Sequence, residues 1–269
     1  MKLMVLDGNS IVNRAYYGVR PLTTRDGFFT HAIFGFLTML SRLLDEEKPE
    51  ALCVAFDRRE PTFRHLEYEG YKATRHAMPE ELAMQMPVLK EVLDAMNIPR
   101  YELAGFEADD LIGTISRKCE KEGWDCVVAT GDKDSLQLVT EHTTVKLISS
   151  RMGQTTTKDM TPEAFFESYG FAPAHIVDLK ALMGDASDNI PGVPGIGEKT
   201  AVRLLTAYGT LENELDHADA DLKGKQREKL LDGRMSGLMS KKIATITRYV
   251  PLDDVTLEDC RLGDMTGVL

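Results

Sequence analysis

The stretch WDCVVATGDKD, residues 124–134, decides the fold. Its apolar run has no polar alternation, so it reads as a strand buried on both faces, and it delivers Asp132 and Asp134 just past its end. Two earlier stretches have the same form: KLMVLD, residues 2–7, runs into Asp7, and ALCVAFD, residues 51–57, runs into Asp57. Between them lie helical patterns over about Thr30 to Glu47, Glu80 to Asn97 after Pro79, and Glu107 to Glu122 before Gly123. This alternation predicts an α/β fold with a central, mostly parallel sheet flanked by helices.

A further strand, TTVKLIS from Thr143, is expected to end at a turn, RMGQ, residues 151–154. TPEAFFESYG then has the Thr N-cap, Pro and terminal Gly of a short helix. Beyond about Phe171 the pattern is purely helical: PAHIVDLKALMG, EKTAVRLLTAYG, and a Lys-rich stretch from Asp216 to Ser240 leading into LMSKKIATITRYV. The tail PLDDVTLEDCRLGDMTGVL has little periodicity and reads as a chain leaving its domain. The expected organisation is an α/β core over 1–170, with an arch region at about 58–90, a helical region over 171–250, and a tail over 251–269.

At 269 residues, 43% hydrophobic and 28% charged, the composition is that of a soluble globular protein. No apolar run approaches the roughly 18 residues of a membrane span, and MKLMVLD lacks the longer apolar region of a signal peptide, so the expected location is cytoplasmic. Cys53, Cys119, Cys126 and Cys260 show no CxxC spacing and are read as reduced thiols without a zinc role. A net charge of −11 argues against a nucleic-acid partner unless the acids are gathered where cations cancel them.

In an open parallel sheet, ligands bind at the carboxyl ends of the strands. Asp7, Asp57, Asp132 and Asp134 fall there, and GFEADDLIGT places Glu107, Asp109 and Asp110 at the start of a helix that can face the same crevice. MGDASDN adds Asp185 and Asp188 at a helix exit. Singly, each has an ordinary reading, as a first-turn acid favoured by the helix dipole or as turn chemistry after a strand. Jointly, nine acids on one rim would repel by several kcal/mol unless cations offset them, and a metal site accounts for them better. With no His or Cys in the set, the ion is expected to be Mg²⁺ or Mn²⁺. DKDSL resembles a Ca²⁺ loop only until its sixth and twelfth positions, Gln137 and Thr143. DGNS lacks the second aspartate of a phosphatase DxD, and no GxGxxG follows the first strand. Two ions about 4 Å apart suit in-line hydrolysis of a phosphodiester.

NIPGVPGIGEKTAVRLL supplies the substrate class. Gly195 and Gly197 precede a helix whose N-terminus can hold a phosphate, with Lys199 and Arg203 nearby; the pattern, over 185–205, is a helix-hairpin-helix. In RREPTFRHLEYEGYKATR, residues 58–75, Arg58, Arg59, Arg64, Lys72 and Arg75 interleave with Phe63, Tyr68 and Tyr71. Such a segment suits a single strand or its phosphate; taken alone a solvated helix face is the commoner reading, but its place directly after Asp57, at the rim, shifts the balance towards substrate contact.

Together, LDGNSIVNRAYY, AFDRREPTFRH, YKATR, GFEADDLIGT, ATGDKDSLQLV and LMGDASDNIPGVPGIGEKTA resemble the 5′ nuclease domain of bacterial DNA polymerase I, in the flap endonuclease family, over almost the whole chain. The resemblance implies a PIN-like fold with a helical arch and a hairpin-containing DNA-binding region. It implies a first metal site around Asp7, Asp57, Glu107, Asp109 and Asp110, a second involving Asp132, Asp134, Asp185 and Asp188, and Asp109 as a bridge. It assigns Lys72 and Arg75 to the arch, Tyr71 beside them to stacking, Arg14 to a phosphate, and K⁺ to the hairpin. Lys72, Arg75, Asp109 and Asp110 are its catalytic candidates.

The expected function is then a Mg²⁺-dependent 5′–3′ exonuclease and flap endonuclease. It would act as a monomer on 5′ flaps, nicks, 5′ ends and RNA primer–DNA hybrids, with a polymerase domain linked where the chain is part of a longer protein. Two other readings stay open: a non-catalytic DNA-binding module, which would bind without cutting in Mg²⁺, and an acidic-site ribonuclease, which leaves the hairpin without a purpose.

Overall fold

The computed structural model describes residues 1–151 and 154–263. The strands are β1 (Lys2–Asp7), β2 (Ala51–Ala55), β3 (Arg100–Tyr101), β4 (Asp125–Thr130), β5 (Thr143–Arg151) and β6 (Gln154–Met160). The helices are α1 (Gly8–Gly18), α2 (His31–Glu47), α3 (Phe63–Glu67), α4 (Glu80–Ala95), α5 (Ala108–Glu122), α6 (Pro162–Tyr169), α7 (Ile176–Met183), α8 (Glu198–Tyr208), α9 (Leu211–Asp221), α10 (Gly224–Asp232) and α11 (Arg234–Ala244). By internal contacts the chain divides into two units: one holds Met1–Glu60, Ala77–Thr161 and the chain from Thr247 onward, the other Pro61–His76 and Pro162–Ile246.

In the first unit the strands form one sheet in the order β3-β2-β1-β4-β5-β6. Every pairing is parallel except β5 with β6, as expected of a mostly parallel sheet. The central strands carry unbroken apolar runs because both their faces are covered: Leu3 to Leu6 and Ala51 to Ala55 have no exposure beyond rounding. Phe36, Leu40 and Leu43 of α2 and Leu82, Leu89 and Leu93 of α4 pack into the same core, at helical spacing. The helices end where their sequences require: α5 at Gly123, with φ 71°, and α2 at Lys48, left-handed at φ 46° before Pro49. Met152 and Gly153 of the expected RMGQ turn lie outside the described residues, as do residues 264–269 of the tail.

From Thr247 to Leu262 the chain lies along the first unit. Thr247 N, Val250 N and the carbonyls of Arg248, Leu252 and Val255 all bond to side chains of α5. Leu262 N then donates to Glu50 O at 3.0 Å beside β2.

The second unit is helical. Its smaller core joins Tyr71 to Ile190, Ile243 and Ala244. Between α7 and α8 the chain doubles back tightly, with Asp185 N donating to Ile190 O at 2.9 Å and Ile190 N to Asp185 O at 2.8 Å. Gly184 and Gly192 meet here at backbone distance. A Cβ on Gly192 would stand 2.2 Å from Gly184 N, so the hairpin closes only around glycine. Helix α11 holds it shut: Ser240 Oγ accepts from Gly192 N at 3.0 Å, and Ser236 Oγ donates to Gly192 O at 2.6 Å. Among the described residues, no helix is long and apolar enough to cross a membrane.

Candidate active site

Seven of the nine acids belong to the first unit, all at the carboxyl ends of its parallel strands or at the start of α5. Asp7 is the last residue of β1 and the N-cap of α1. Its carboxylate accepts from Ser10 N at 3.0 Å and from Thr130 Oγ1 at 2.7 Å, and it is only 6% exposed. Burial, with the added charge of Asp57 and Asp132, pushes its pKa up to about 6, against the pull of those two hydrogen bonds. Three carboxylates therefore feel one another across the ends of β1, β2 and β4.

Asp57 is held from both sides. Its N–H donates to Asn9 Oδ1 at 3.0 Å, and its Oδ1 accepts from Ala108 N, the first helical residue of α5, at 2.7 Å. Asp132 N donates to Thr130 Oγ1 at 3.0 Å, and Asp132 Oδ1 caps the following 3-10 turn by accepting from Asp134 N at 2.9 Å. That turn presents Ser135 Oγ 3.5 Å from Asp109 Oδ1. Glu107 is buried at the N-cap of α5. Asp110 has no exposed surface: its Oδ2 accepts from Glu107 N at 3.1 Å and its Oδ1 from Thr247 N at 3.0 Å.

The donor set is entirely oxygen, which fits a hard divalent cation, and the mutual repulsion at Asp7 is what such a cation would offset. Among the described residues, no three His, Cys, Asp or Glu side chains are grouped to hold one ion directly. Small hard cations keep several waters, so a rim of this kind can engage one through its hydration shell.

Beside the rim, Arg14 Nη2 donates to Gly131 O at 2.8 Å, while its buried Nε has no hydrogen-bond partner among the described residues. Gly131 must be glycine for this, because a Cβ there would fall 1.8 Å from Arg14 Nε.

In the second unit, Asp185 accepts from Lys180 Nζ at 2.6 Å and from Ser187 Oγ at 2.6 Å, contacts that hold its carboxyl down at about 2 despite burial. Asp188 gathers the basic pair: Arg75 Nη2 reaches its Oδ1 at 2.5 Å, Lys72 Nζ stands 4.0 Å from its Oδ2, and Lys72 N donates to its carbonyl at 2.9 Å. Gly195 and Gly197 are exposed at the hairpin tip. Gly195 needs its left-handed φ of 80°; Gly197, the N-cap of α8, has φ −97° and nothing within 4 Å of a built Cβ. Neither strain nor crowding demands glycine at 197, so what it contributes is an uncovered helix N-terminus. Lys199 is exposed on the first turn of α8, and Arg203 donates to Gln226 at 2.8 Å.

Two expectations need correction. Tyr71 is not available to stack on a base: it is 4% exposed in the core of its unit, and its hydroxyl donates to Asp188 Oδ2 at 3.3 Å. Arg64, expected on a substrate-facing segment, is the largest fully buried side chain. It donates to the carbonyls of Ile243 at 2.8 Å and Thr245 at 2.9 Å, closing the end of α11.

Comparison with known proteins bears on this geometry. Residues 2–170 match the family model of the 5′-3′ exonuclease N-terminal resolvase-like domain, and residues 171–267 that of the 5′-3′ exonuclease C-terminal SAM fold. The chain belongs to the 5′–3′ exonuclease family. Within it, the DNA polymerase I of Bacillus caldotenax is 47% identical over 259 residues, covering 96% of this chain and 29% of the relative. That of Bacillus subtilis is 45% identical over 252 residues, covering 94% and 28%. The chain thus spans less than a third of these relatives' length.

The exonuclease fold extends to more distant solved structures. T5 5′-exonuclease with bound zinc has a TM-score of 0.73 at 21% identity, covering 91% of this chain and 89% of its own. The catalytic core of Rad2 in complex with DNA has a TM-score of 0.57 at 16% identity, covering 92% and 80%. Sequence reasoning passed over the residues that hold this exonuclease rim in place: Asn9, Ser10, Thr130 and Ser135. DGNS and ATGDKDS contain all four, but their types are ordinary in turns, and only the partners they meet across the sheet give them a role.

Proposed function

We propose that this chain is a divalent-metal-dependent 5′ nuclease that hydrolyses DNA phosphodiesters at 5′ flaps, nicks and 5′ ends, including the ends of RNA primers on DNA. The observation that carries the reading is the meeting of Asp7, Asp57 and Asp132 across three parallel strand ends, in a chain of the 5′–3′ exonuclease family. Asp7, Asp57, Glu107, Asp109, Asp132 and Asp134 would hold Mg²⁺ or Mn²⁺, directly or through water. Bound divalent cations supply an acidified water and neutralise charge on the leaving oxygen. No side chain of the rim then has to act as nucleophile.

The chain's own residues bind and orient the substrate. Arg14 presents a buried guanidinium N–H without a partner at the edge of the rim, where a phosphate oxygen would satisfy it. The N-terminus of α8, left open at Gly197 and flanked by Lys199, would take a duplex phosphate. Lys72 and Arg75, held as a pair on Asp188, would act electrostatically on the strand being cut. At the hairpin, Gly195 O accepts from Lys229 Nζ at 2.9 Å, so the chain brings its own cation to that carbonyl. The protein would work in the cytoplasm as a monomer, and any polymerase part would lie in the length of the relatives that this chain does not span.

The test is cleavage of a 5′-labelled flap duplex in Mg²⁺ or EDTA, comparing the unaltered chain with Asp109→Ala. Mg²⁺-dependent cutting near the junction, lost in the variant, is expected. Tight binding without cutting would instead leave a DNA-binding module.

A further inference from the structure

The geometry points to Asp110 as a positioning residue, a clasp that fixes the first turn of α5 to the returning chain, and not as a ligand of the metal ions. This rests on the nuclease reading above for its consequence, but not for its geometry. Asp109 and Asp110 are neighbours in sequence, and on a helix neighbours point about 100° apart. Asp109 is partly exposed and faces Ser135 Oγ. Asp110, about a quarter-turn round, lies in a seam, where it bonds the returning chain at Thr247 and the N-cap at Glu107.

The seam is built at helical spacing. Asp110 accepts from Thr247 N, and Thr114 Oγ1, one turn on, accepts from Val250 N at 3.0 Å while donating to Asp110 O at 2.8 Å. A turn further, Arg117 Nε donates to Arg248 O at 2.7 Å and Lys118 Nζ to Val255 O at 2.6 Å, while Arg248 returns to Glu120 at 2.8 Å. One face of α5 thus grips residues 247–255 from end to end. Asp110 serves both partners at once, since its second oxygen takes Glu107 N. Both oxygens of this carboxylate are taken by backbone N–H groups, one of them buried, and moving it off them would cost those hydrogen bonds. Held where it is, it fixes the N-cap from which Glu107 and Asp109 are presented.

The experiment compares Asp110→Asn, Asp110→Ala and Asp109→Asn by four readouts: Mn²⁺ affinity by titration calorimetry, thermal unfolding, hydrogen exchange of the Thr247 amide, and steady-state flap cleavage. Asn keeps one acceptor oxygen for the seam, whereas as a ligand it loses the charge much as Ala does. We expect both Asp110 variants to keep Mn²⁺ affinity within about threefold and to lower the melting temperature by about 5 °C. Thr247 should lose protection in Asp110→Ala, and kcat should fall at unchanged KM, with Asn recovering part of the loss. Asp109→Asn should weaken Mn²⁺ at least tenfold, on the scale of a lost metal contact, with no loss of melting temperature. Equal, tenfold or greater loss of Mn²⁺ affinity in Asp110→Asn and Asp110→Ala, with Thr247 still protected, would overturn the proposal. Failure of the nuclease reading looks different: the unaltered chain would neither bind Mn²⁺ nor cut, and the positioning role would fall with it even if Thr247 lost protection.

Discussion

Glu214, on α9, is a buried acid that the proposed chemistry does not use, and its environment sets a measurable pH dependence. It has no exposed surface, and among the described residues neither carboxyl oxygen has a hydrogen-bond partner. Asp178, the charge that bears on it, is itself engaged: Lys241 Nζ pairs with it at 2.6 Å, and His175 faces it at 3.3 Å. Burial first, and then the charge of Asp178, push the Glu214 pKa from 4.5 up to about 8. Between those two values the folded protein holds a proton that the unfolded chain releases. The contribution of Glu214 to stability is therefore full below pH 4.5, falls as pH rises towards 8, and is flat beyond. At about 1.4 kcal/mol per pH unit, the interval from 4.5 to 7 costs about 3 kcal/mol at neutral pH. Glu214→Gln mimics the protonated acid and removes this cost. Urea unfolding followed by circular dichroism should show the variant about equal to the unaltered chain near pH 4.5 and more stable by about 3 kcal/mol at pH 7. A difference that does not change with pH, or a variant less stable at pH 7, would mean that Glu214 is ionised in the folded protein and that the reasoning fails.

Three further outcomes follow from particular contacts. Lys199→Ala should weaken duplex binding and lower the magnitude of its salt slope by about one, measured by fluorescence anisotropy across a salt series; an unchanged slope would remove the α8 N-terminus from the DNA interface. Arg64→Met should cost about 2 kcal/mol in urea unfolding, because the buried carbonyl of Ile243 and the part-buried one of Thr245 lose a charged donor, yet leave that salt slope unchanged. Gly131→Ala must displace the Arg14 guanidinium, so it should reduce flap cleavage to the level of Arg14→Gln, and the double variant should be no slower than either.

The parallel strands were legible because burial on both faces leaves an unbroken apolar run, and the acids at their ends were legible because the fold brings strand ends together. Other elements carry no such mark. Strand β6, QTTTKDM, has no apolar run and exists by pairing antiparallel with β5 at an edge. Helix α1 opens on Gly, Asn and Ser, all poor helix formers, and is nucleated by Asp7 accepting from Ser10 N. The pattern LMSKKIATITRYV reads as one helix to Val250, but α11 stops at Ala244 because the next amides are taken elsewhere, Thr247 N by Asp110 and Val250 N by Thr114. A local propensity of a few tenths of a kcal/mol per residue yields to buried hydrogen bonds worth more.

The same limit divides the acids of EADD. Sequence gives four residues and a helix start, and the helix dipole favours both aspartates equally there. What separates them is the partner that each direction meets, a 3-10 turn carrying Asp134 on one side and a returning chain 137 residues further on at the other. No local signal encodes the second contact, because the seam exists only once the chain from Thr247 has come back to the first unit. In this chain the carboxylate of Asp110 joins the N-cap at Glu107 to the returning chain at Thr247, a role that calls for two acceptor oxygens as much as holding a cation does.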